Sequence, residues 1–423
     1  MDAIWHKAKV IFFDPALRFR ILFVIAALIL FRLGSSIPIP GVDPIALQRF
    51  FSGNQFFGLL DVFSGGGFSS LSIFMLGVGP FITASIILQL LTIMIPSLKE
   101  MYQEAGEAGR RKFAQYSRLL SVPLAAMQAF GFLALFARQG VITNLGATSQ
   151  IMNVITIVAG SLLIMWVGEL ISEYGIGNGV SLIIFAGILA GLPQTIGQLL
   201  INYDPSQIPT FIIFAVASIL IVAGVVVVSE AERPIPVTYA KRVRGMKVYG
   251  GMSTYLPIRL NQAGVMPIIF ALSIMLFPQM IANFLVKSSN AIIQTVSSGI
   301  LGLLNNTWFY AGAYFLLVFI FTYFYSAITF DPEAVSTNLQ KNGAFVPGIR
   351  PGRPTAEYIG KVLYRLTLIG ALFLGIVAML PILVQAWTGI SALAIGGTAL
   401  LIVVSVALDF MKQVDSQLSL REY

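Results

Sequence analysis

The sequence contains no cysteine and a single histidine, His6. Disulfide frameworks, thiolate metal sites and Cys/His nucleophile pairs are therefore excluded. Charged residues are also scarce, at 10% of the 423 residues, whereas soluble globular domains carry about 25%. Because 57% of the residues are hydrophobic and the mean hydropathy is +0.87, the composition predicts a membrane protein.

Several enzyme signatures are missing as well. No Gly-x-x-x-x-Gly-Lys-[Ser/Thr] phosphate-binding loop occurs, and a Ser/His/Asp triad would have to recruit His6 from the amino-terminal tail. These absences argue against a membrane enzyme, and we expect no cofactor and no bound metal. No small-residue cleavage site follows the first long apolar run, which favours a retained first span over a cleaved signal.

Long apolar segments are present instead. A helical span needs about 20 mostly apolar residues to cross roughly 30 Å of hydrocarbon. The segments that qualify as spans are 21–38, 71–95, 119–137, 151–171, 180–200, 210–229, 263–285, 308–328, 366–386 and 390–410. The sequence therefore predicts an all-α membrane protein with ten transmembrane helices.

Lysine and arginine are distributed unequally between the connecting segments. An even number of spans places both termini on one side of the membrane, and the basic residues identify that side as the cytoplasm. The termini and the even-numbered loops carry most of the basic residues, and the opposite side has only Arg32, Arg49, Arg138 and Lys287. We therefore expect both termini to be cytoplasmic.

Two of the predicted cytoplasmic loops are long, at about 230–262 and 329–365. Each mixes basic residues with proline, glycine and aromatic residues, a composition typical of a structured region rather than of a linker. Most other connections are short. One of them, Gly-Ile-Gly-Asn-Gly at 175–179, is expected to cap one helix and to start the next.

An apolar, glycine-rich segment at about 56–68 lies between the first two spans. It is too short to cross the membrane, so we interpret it as a re-entrant half-helix with a glycine hinge. Non-helical backbone at membrane depth persists only where it is buried in protein or lines a water-filled cavity, so this interpretation predicts such a cavity. The alternative is an interfacial loop that lies on the bilayer.

A short internal similarity suggests two related halves, 1–200 and 201–423. Gly-Val-Gly-Pro at 77–80 opens the second span, and Gly-Val-Met-Pro at 264–267 opens the seventh. The two spans run in opposite directions, as an inverted repeat requires. Coincidence is the other explanation. An inverted repeat would also suit a secondary transporter, although the spans offer no clear intramembrane carboxylate or basic residue for a coupling site.

Four sequence motifs lie in connecting segments of the chain. They are Glu-Ala-Gly-Arg-Arg-Lys at 107–112, Gly-Ile-Gly-Asn-Gly at 175–179, Glu-Arg-Pro-Ile-Pro-Val-Thr-Tyr-Ala-Lys-Arg at 232–242 and Gly-Ala-Phe-Val-Pro-Gly-Ile-Arg-Pro-Gly at 343–352. In this order and topology they resemble the SecY family of protein-translocation channels, and the similarity covers essentially the whole chain. Thr238 and Pro234 depart from the family pattern, which more often has glutamine and a second basic residue, respectively, at those positions.

This resemblance implies two pseudo-symmetric inverted halves around a central pore, closed by a short plug helix. It implies a channel that passes unfolded secretory polypeptides and releases hydrophobic segments sideways into the lipid. The implied partners are the small membrane subunits SecE and SecG, the SecA ATPase motor, the ribosome, and secretory and membrane precursors with signal sequences. The implied location is the bacterial plasma membrane.

The resemblance also assigns residues to the pore and the plug. An apolar constriction excludes hydrated ions by dewetting, and aliphatic side chains suit it. In an ordinary membrane helix, isoleucine at helical spacing packs against lipid or other helices instead. The implied pore ring is Ile82, Ile86, Ile184, Ile188, Ile269 and Ile402, and the implied plug is Leu59, Leu60, Asp61, Val62, Phe63, Ser64, Gly65, Gly66 and Gly67.

A lateral gate and a partner-binding surface complete the implied sites. The gate candidates, between the second and third spans and the seventh and eighth, are Thr83, Gln128 and Asn261, for which ordinary hydrogen bonds between packed helices are the alternative. The basic loop residues would also fit topology determination and attraction to anionic lipids. The residues expected to contact partners are Arg110, Arg111, Arg233, Lys241, Arg242 and Arg350.

Overall fold

The computed structural model describes residues 14–52, 61, 64–104, 106–142, 146–201, 208–239, 242–244, 247–249, 253–286, 290–388 and 391–419. Helices make up most of this part of the chain. They are α1 (Pro15–Ser35), α2 (Pro44–Ser52), α3 (Gly79–Met94), α4 (Pro96–Lys99), α5 (Gly106–Arg138), α6 (Ala147–Tyr174), α7 (Gly179–Ile201), α8 (Ile208–Glu230), α9 (Met266–Leu285), α10 (Ala291–Asn305), α11 (Thr307–Thr329), α12 (Pro332–Lys341), α13 (Arg353–Thr388) and α14 (Ser391–Ser419), with a π-helical turn at Glu100–Glu104.

A helix covers each of the predicted spans in this structure. By length and apolar composition alone, four stretches within the described residues can cross a membrane, and five if the bent pair Gly79–Thr92 and Pro96–Tyr102 counts as one. Shorter apolar helices cover other predicted spans, so the count of ten crossings stays a prediction. The four stretches are Gly106–Ala137, Thr148–Tyr174, Thr307–Lys341 and Arg353–Trp387.

The helices α3 and α9 begin with the same local structure. Gly77 and Gly264 have φ angles of +51° and +59°, which glycine adopts at little cost. A valine N-cap follows in both cases, and a proline lies in the first helical turn, where its missing N–H is not needed. The sequence similarity at 77–80 and 264–267 is thus also a similarity of backbone structure.

The predicted start of the second span was wrong by eight residues. The prediction placed it at residue 71, but α3 begins at Gly79 and residues 71–78 form turns. Leu71 has a φ of +42°, which is incompatible with a right-handed helix. Apolar composition was misleading here, because these residues are apolar for burial inside the protein and not for a helix that crosses the membrane.

The short connection at 175–179 has the predicted structure. Helix α6 ends at Tyr174, and the amide of Gly175 donates to the carbonyl oxygen of Ile171. Gly177 has a φ of +94°. The side chain of Asn178 then accepts a hydrogen bond from the amide of Ser181 at 3.2 Å, which is the N-cap interaction expected for α7.

The two long predicted cytoplasmic loops fold together. The strands are β1 (Glu232–Tyr239), β2 (Arg242–Arg244), β3 (Lys247–Tyr249), β4 (Ser253–Arg259) and β5 (Ala344–Phe345). Strand β1 pairs antiparallel with β4, from Glu232 opposite Arg259 to Thr238 opposite Ser253, and with β5 at Thr238 and Tyr239. Strand β5 is short and pairs with β1 only at Thr238 and Tyr239, so Pro234 and Pro236 have no partner strand on that side of β1. Proline, which lacks a backbone N–H, is tolerated at such an edge because no hydrogen bond to a neighbouring strand is required.

The sheet has its own small core, which explains why the loops are ordered. Its buried side chains come from β1, β4, the turn after β5, and α13, so the core joins both loops to the start of a long helix. The buried members are Ile235, Ile258, Val346, Ile359, Val362 and Leu363.

The two proposed halves of the chain meet along two seams. Helix α7 packs against α14 on one side, and α9 packs against α3 and α5 on the other. The contact between α3 and α9 is much smaller than the packing of α3 on α5 or of α9 on α11. The bundle therefore has two junctions of similar extent between residues 1–200 and 201–423, one formed by a single helix pair and the other divided between two pairs.

Candidate functional site

The six isoleucines of the predicted pore ring lie in one buried hydrophobic cluster. Their exposed fractions run from 0% for Ile402 to 7% for Ile82. None of them faces the outside of the bundle, where lipid-facing isoleucines such as Ile155 are 58% exposed. The structure thus brings together all six side chains that the resemblance implied.

The helices that carry these isoleucines are those that form the two seams. Ile82 and Ile86 lie on α3, and Ile184 and Ile188 on α7, and each pair is spaced i, i+4, so it projects from one helix face. Ile269 lies on α9 and Ile402 on α14. The cluster therefore lies where the two halves meet, with side chains from both.

The glycine-rich segment packs directly against this ring. Gly187 lies between Ile184 and Ile188 on α7, and a Cβ atom placed on Gly187 would overlap the Cα of Gly65 and lie 2.7 Å from its carbonyl carbon. A side chain at position 187 would therefore force the two backbones apart, whereas a Cβ atom on Gly65 would overlap the Phe31 ring. We call this contact between Gly65 and Gly187 the plug seat.

A local hydrogen-bond network holds the seated segment. The amide of Ser69 donates to the Asp61 carboxylate at 2.7 Å, and the amide of Phe68 donates to the Ser64 hydroxyl at 2.8 Å. Removal from water raises the pKa of Asp61, while donors from Ser69, Phe68 and Ser64 oppose that rise. The hydrogen bond from the Ser69 amide to the Asp61 carboxylate thus links residues 61 and 69.

The same segment is tied to its neighbours. The Ser70 hydroxyl donates to the Ser35 carbonyl oxygen at 2.9 Å, and the Phe68 ring lies 5.0 Å from that of Phe132 in an edge-to-face arrangement. Gly66 has a φ of +83°. Leu59, Leu60, Val62 and Phe63 of the predicted plug lie outside the described residues.

Two of the predicted gate residues form local hydrogen bonds. The Thr83 hydroxyl donates to the Gly79 carbonyl oxygen within α3 at 3.0 Å. Asn261 precedes α9, and its amide group donates to the Gly264 carbonyl oxygen at 3.2 Å, while its buried Oδ1 has no partner. Gln128 is partly buried on α5. Thr83, Gln128 and Asn261 thus lie on or just before α3, α5 and α9, the helices of one junction between the halves.

The predicted partner-binding residues lie at the sheet and at the start of α5. Arg110 and Arg111 are exposed in the first turns of α5, where Arg111 pairs with Glu107 at 2.7 Å. Arg233 is exposed on β1, and Arg350 is exposed after β5. Only the backbone of Arg242, on β2, is described, and Lys241 lies outside the described residues.

Charged groups near span ends are paired at the surface of the bundle. Arg118 on α5 contacts Glu169 on α6 at 2.7 Å, and Lys412 on α14 contacts Glu230 at the end of α8 at 2.9 Å. Buried polar side chains in the described part of the chain are all Ser, Thr, Asn or Gln, and no group of three His, Cys, Asp or Glu there could hold a metal ion.

Sequence reasoning missed the role of Gly187. Its signal was a glycine between two isoleucines at i, i+4 spacing, a pattern common to many membrane helices. The contact partner, 122 positions away, is visible only in the folded chain.

A family model described as SecY matches residues 72–411 of this chain. A protein translocase subunit SecY from Thermus thermophilus is 45% identical over 100% of this chain and 97% of its own length. The same-named subunit from Synechococcus elongatus is 43% identical over 96% of this chain and 93% of its own.

Solved structures share the fold. One, described as the structure of a protein conducting channel, superposes with a TM-score of 0.65 at 19% identity, covering 95% of this chain and 93% of that one. A second, on the plug domain of the SecY protein and the closed state of the translocation channel, gives 0.67 at the same identity and coverage. From the family model and the relatives, this chain is a member of the SecY family.

Proposed function

We propose that this chain is the protein-conducting channel subunit of a translocase, which passes unfolded polypeptides across the membrane and is not itself an enzyme. One observation carries the proposal. Six aliphatic side chains from four helices of both halves meet in one buried cluster, and a glycine-rich segment rests against it. This arrangement is a constriction with a removable obstruction.

The chemistry of the cluster suits such a channel. A polypeptide brings side chains of every size and charge, so fixed charges at the constriction would hold some of them back. A narrow aliphatic ring excludes hydrated ions by dewetting and widens by rotamer and helix movements. No carboxylate or basic group in the described residues is fully buried, which disfavours an ion-coupled secondary transporter, because that mechanism needs such a site.

The junction of α9 with α3 and α5 is the proposed site of lateral release of hydrophobic segments. It is divided between two helix pairs, and each pair makes a smaller contact than α7 makes with α14 on the other side of the ring. Separation of α3 from α9 would therefore break only a small direct contact. We assign the lateral gate to this junction, with Thr83, Gln128 and Asn261 at or beside it.

The sheet and the first turns of α5 are the proposed docking surface for cytoplasmic partners. Arg233, Arg350, Arg110 and Arg111 are exposed there, and a cluster of basic side chains suits ribosomal RNA phosphates or the acidic groups of the SecA motor. Anionic lipids would add about 1 kcal/mol per basic residue near the bilayer. Small SecE- and SecG-type subunits, a bacterial plasma membrane and cytoplasmic termini complete the proposal.

Reconstitution tests the function. Vesicles that contain this chain, its small subunits and SecA should protect a secretory precursor from external protease only when ATP is supplied. Vesicles with the subunits and SecA but without this chain are the control. Equal protection in the control vesicles, or no protection with the complete set, would reject the assignment.

A further inference from the structure

Helix α10 was not predicted from the sequence and does not belong to the ring. It connects α9 to α11 and contacts both. Because α9 begins after β4 and α11 ends before α12 and β5, α10 lies at the end of the bundle opposite the sheet. It is about 22 Å long at 1.5 Å per residue, and it carries no Asp, Glu, Lys or Arg.

The sides of α10 differ in chemistry. Ser297 is 2% exposed, and Leu301 and Leu304 are partly buried, so this side packs on the protein. Ser298 is exposed on a second side, and Gln294 is exposed between Ser298 and Leu301. The third side is an exposed aliphatic stripe, whose members lie about 120–160° from Ser298 at 100° per residue. The aliphatic stripe is Ile292, Val296, Ile300 and Leu303, with Ile292 74% and Val296 57% exposed.

The neighbours of α10 show what covers this stripe. Asn306 caps the next helix by accepting from the amide of Trp308 at 3.1 Å. Trp308 is 67% exposed in the first turn of α11, and tryptophan is enriched where helices cross the boundary between headgroups and hydrocarbon. Exposed Leu316 and Ile320 continue along α11. The stripe is therefore followed, three residues after α10 ends, by an exposed aromatic residue of the type found at the membrane interface, and then by a helix with exposed aliphatic side chains.

We propose that α10 lies in the bilayer interface on the side opposite the sheet, with its aliphatic stripe in the acyl boundary and Gln294 and Ser298 in the headgroup layer. Interfacial helices bury their apolar face about 5–10 Å below the headgroups. Since α10 has no charged residue, it binds zwitterionic and anionic bilayers alike. It thereby fixes the depth of the far ends of α9 and α11, and α9 carries Ile269 of the ring.

The lack of cysteine allows a direct test. Val296→Cys on the stripe and Ser298→Cys on the opposite side each receive the same fluorescent label, and the complex is reconstituted in phosphatidylcholine vesicles that contain brominated lipid. Lipid bromine should quench the Val296 label by about half or more, at the depth expected for an interfacial helix. Aqueous iodide should instead quench the label at position 298. A second pair should repeat this result, with Ile292→Cys quenched by lipid bromine and Gln294→Cys quenched by iodide.

Other outcomes overturn the proposal. Equal quenching of the two labels by either agent would show that α10 has no fixed orientation toward lipid. Shielding of the Val296 label from both agents would show that a protein partner covers the stripe. Quenching by lipid bromine only after phosphatidylglycerol is added would contradict charge-independent binding.

Discussion

Gly187 has a position in α7 that no other residue type can occupy without moving the plug segment. Its backbone meets that of Gly65, between two isoleucines of the ring. A side chain here would act on the closed state specifically, because the contact exists only while the segment is seated. The residue is therefore a means of separating the seal made by the segment from the seal made by the ring.

Gly187→Ala should raise the ion conductance of resting channels several-fold, because the added methyl group displaces the seated segment. Gly191→Ala is the matched control, since it lies one turn further along the same helix, where a Cβ meets no atom within 4 Å. Both variants gain the same intrinsic helix propensity. Conductance measured in planar bilayers distinguishes them, and equal currents in both variants would contradict the plug seat.

The ring itself is tested by removing side chains. Replacing Ile86 and Ile188 with glycine should make resting channels leak ions, because the wider constriction no longer excludes water. Ile151 and Ile155, which are 60% and 58% exposed on α6, are the control pair. Glycine at the control positions carries the same helix penalty of about 1 kcal/mol per residue. A similar leak from both double variants would count against the ring.

The sequence predicted the ring residues but not their contacts. Apolar spacing showed only that Ile82 and Ile86 share one helix face, and the family resemblance supplied the role. The structure adds that all six isoleucines are buried together. The partner of Gly187 could not be predicted, because a contact between glycines leaves no chemical pattern in either segment.

The sheet formed by β1, β4 and β5 is an element with its own stability. Ile359 on α13 is fully buried against Ile235, Ile258 and Val346, so one side chain from a long helix anchors both loops. The basic residues proposed to contact partners depend on this anchor for their positions. The seal of the channel does not, because the ring belongs to a different cluster.

Ile359→Ala should weaken ribosome binding while leaving the resting ion conductance unchanged. Loss of a buried isoleucine to alanine costs about 2–5 kcal/mol, and to valine about 0.5–1.5 kcal/mol, so Ile359→Val is the graded control. Cosedimentation with ribosomes measures the binding, and limited proteolysis of residues 230–262 measures the local unfolding. Normal binding by the alanine variant would contradict the dependence of the docking surface on this core.

Elements were predicted unevenly, for identifiable physical reasons. The composition of the two long loops predicted structure, but the pairing of β1 with β5 across about a hundred residues has no local signal. Helix α10 was missed because 15 residues are too few for a span and its uncharged polar side suggested a loop. The start of α3 was misplaced because buried turns at 71–78 are as apolar as a helix.

At the scale of the whole molecule, the two junctions between the halves define how the proposed channel can open. One is the contact of α7 with α14, and the other is divided between the contacts of α9 with α3 and with α5. Because the ring residues lie on α3, α7, α9 and α14, we expect separation of α3 from α9 to widen the ring and to open it toward lipid in one movement. The composition predicted a helical membrane protein, whereas the helix pairs that join the halves required the structure.

The central claim is that a translocating polypeptide passes through the isoleucine cluster. Single cysteines at Ile86, Ile188 and Ile402 are to be compared with one at Ile219, which is 68% exposed on α8, by disulfide formation with a precursor stalled during translocation and carrying one cysteine. We expect disulfides at the three cluster positions and none at Ile219. Disulfides at Ile219 with none at the cluster positions would contradict the account.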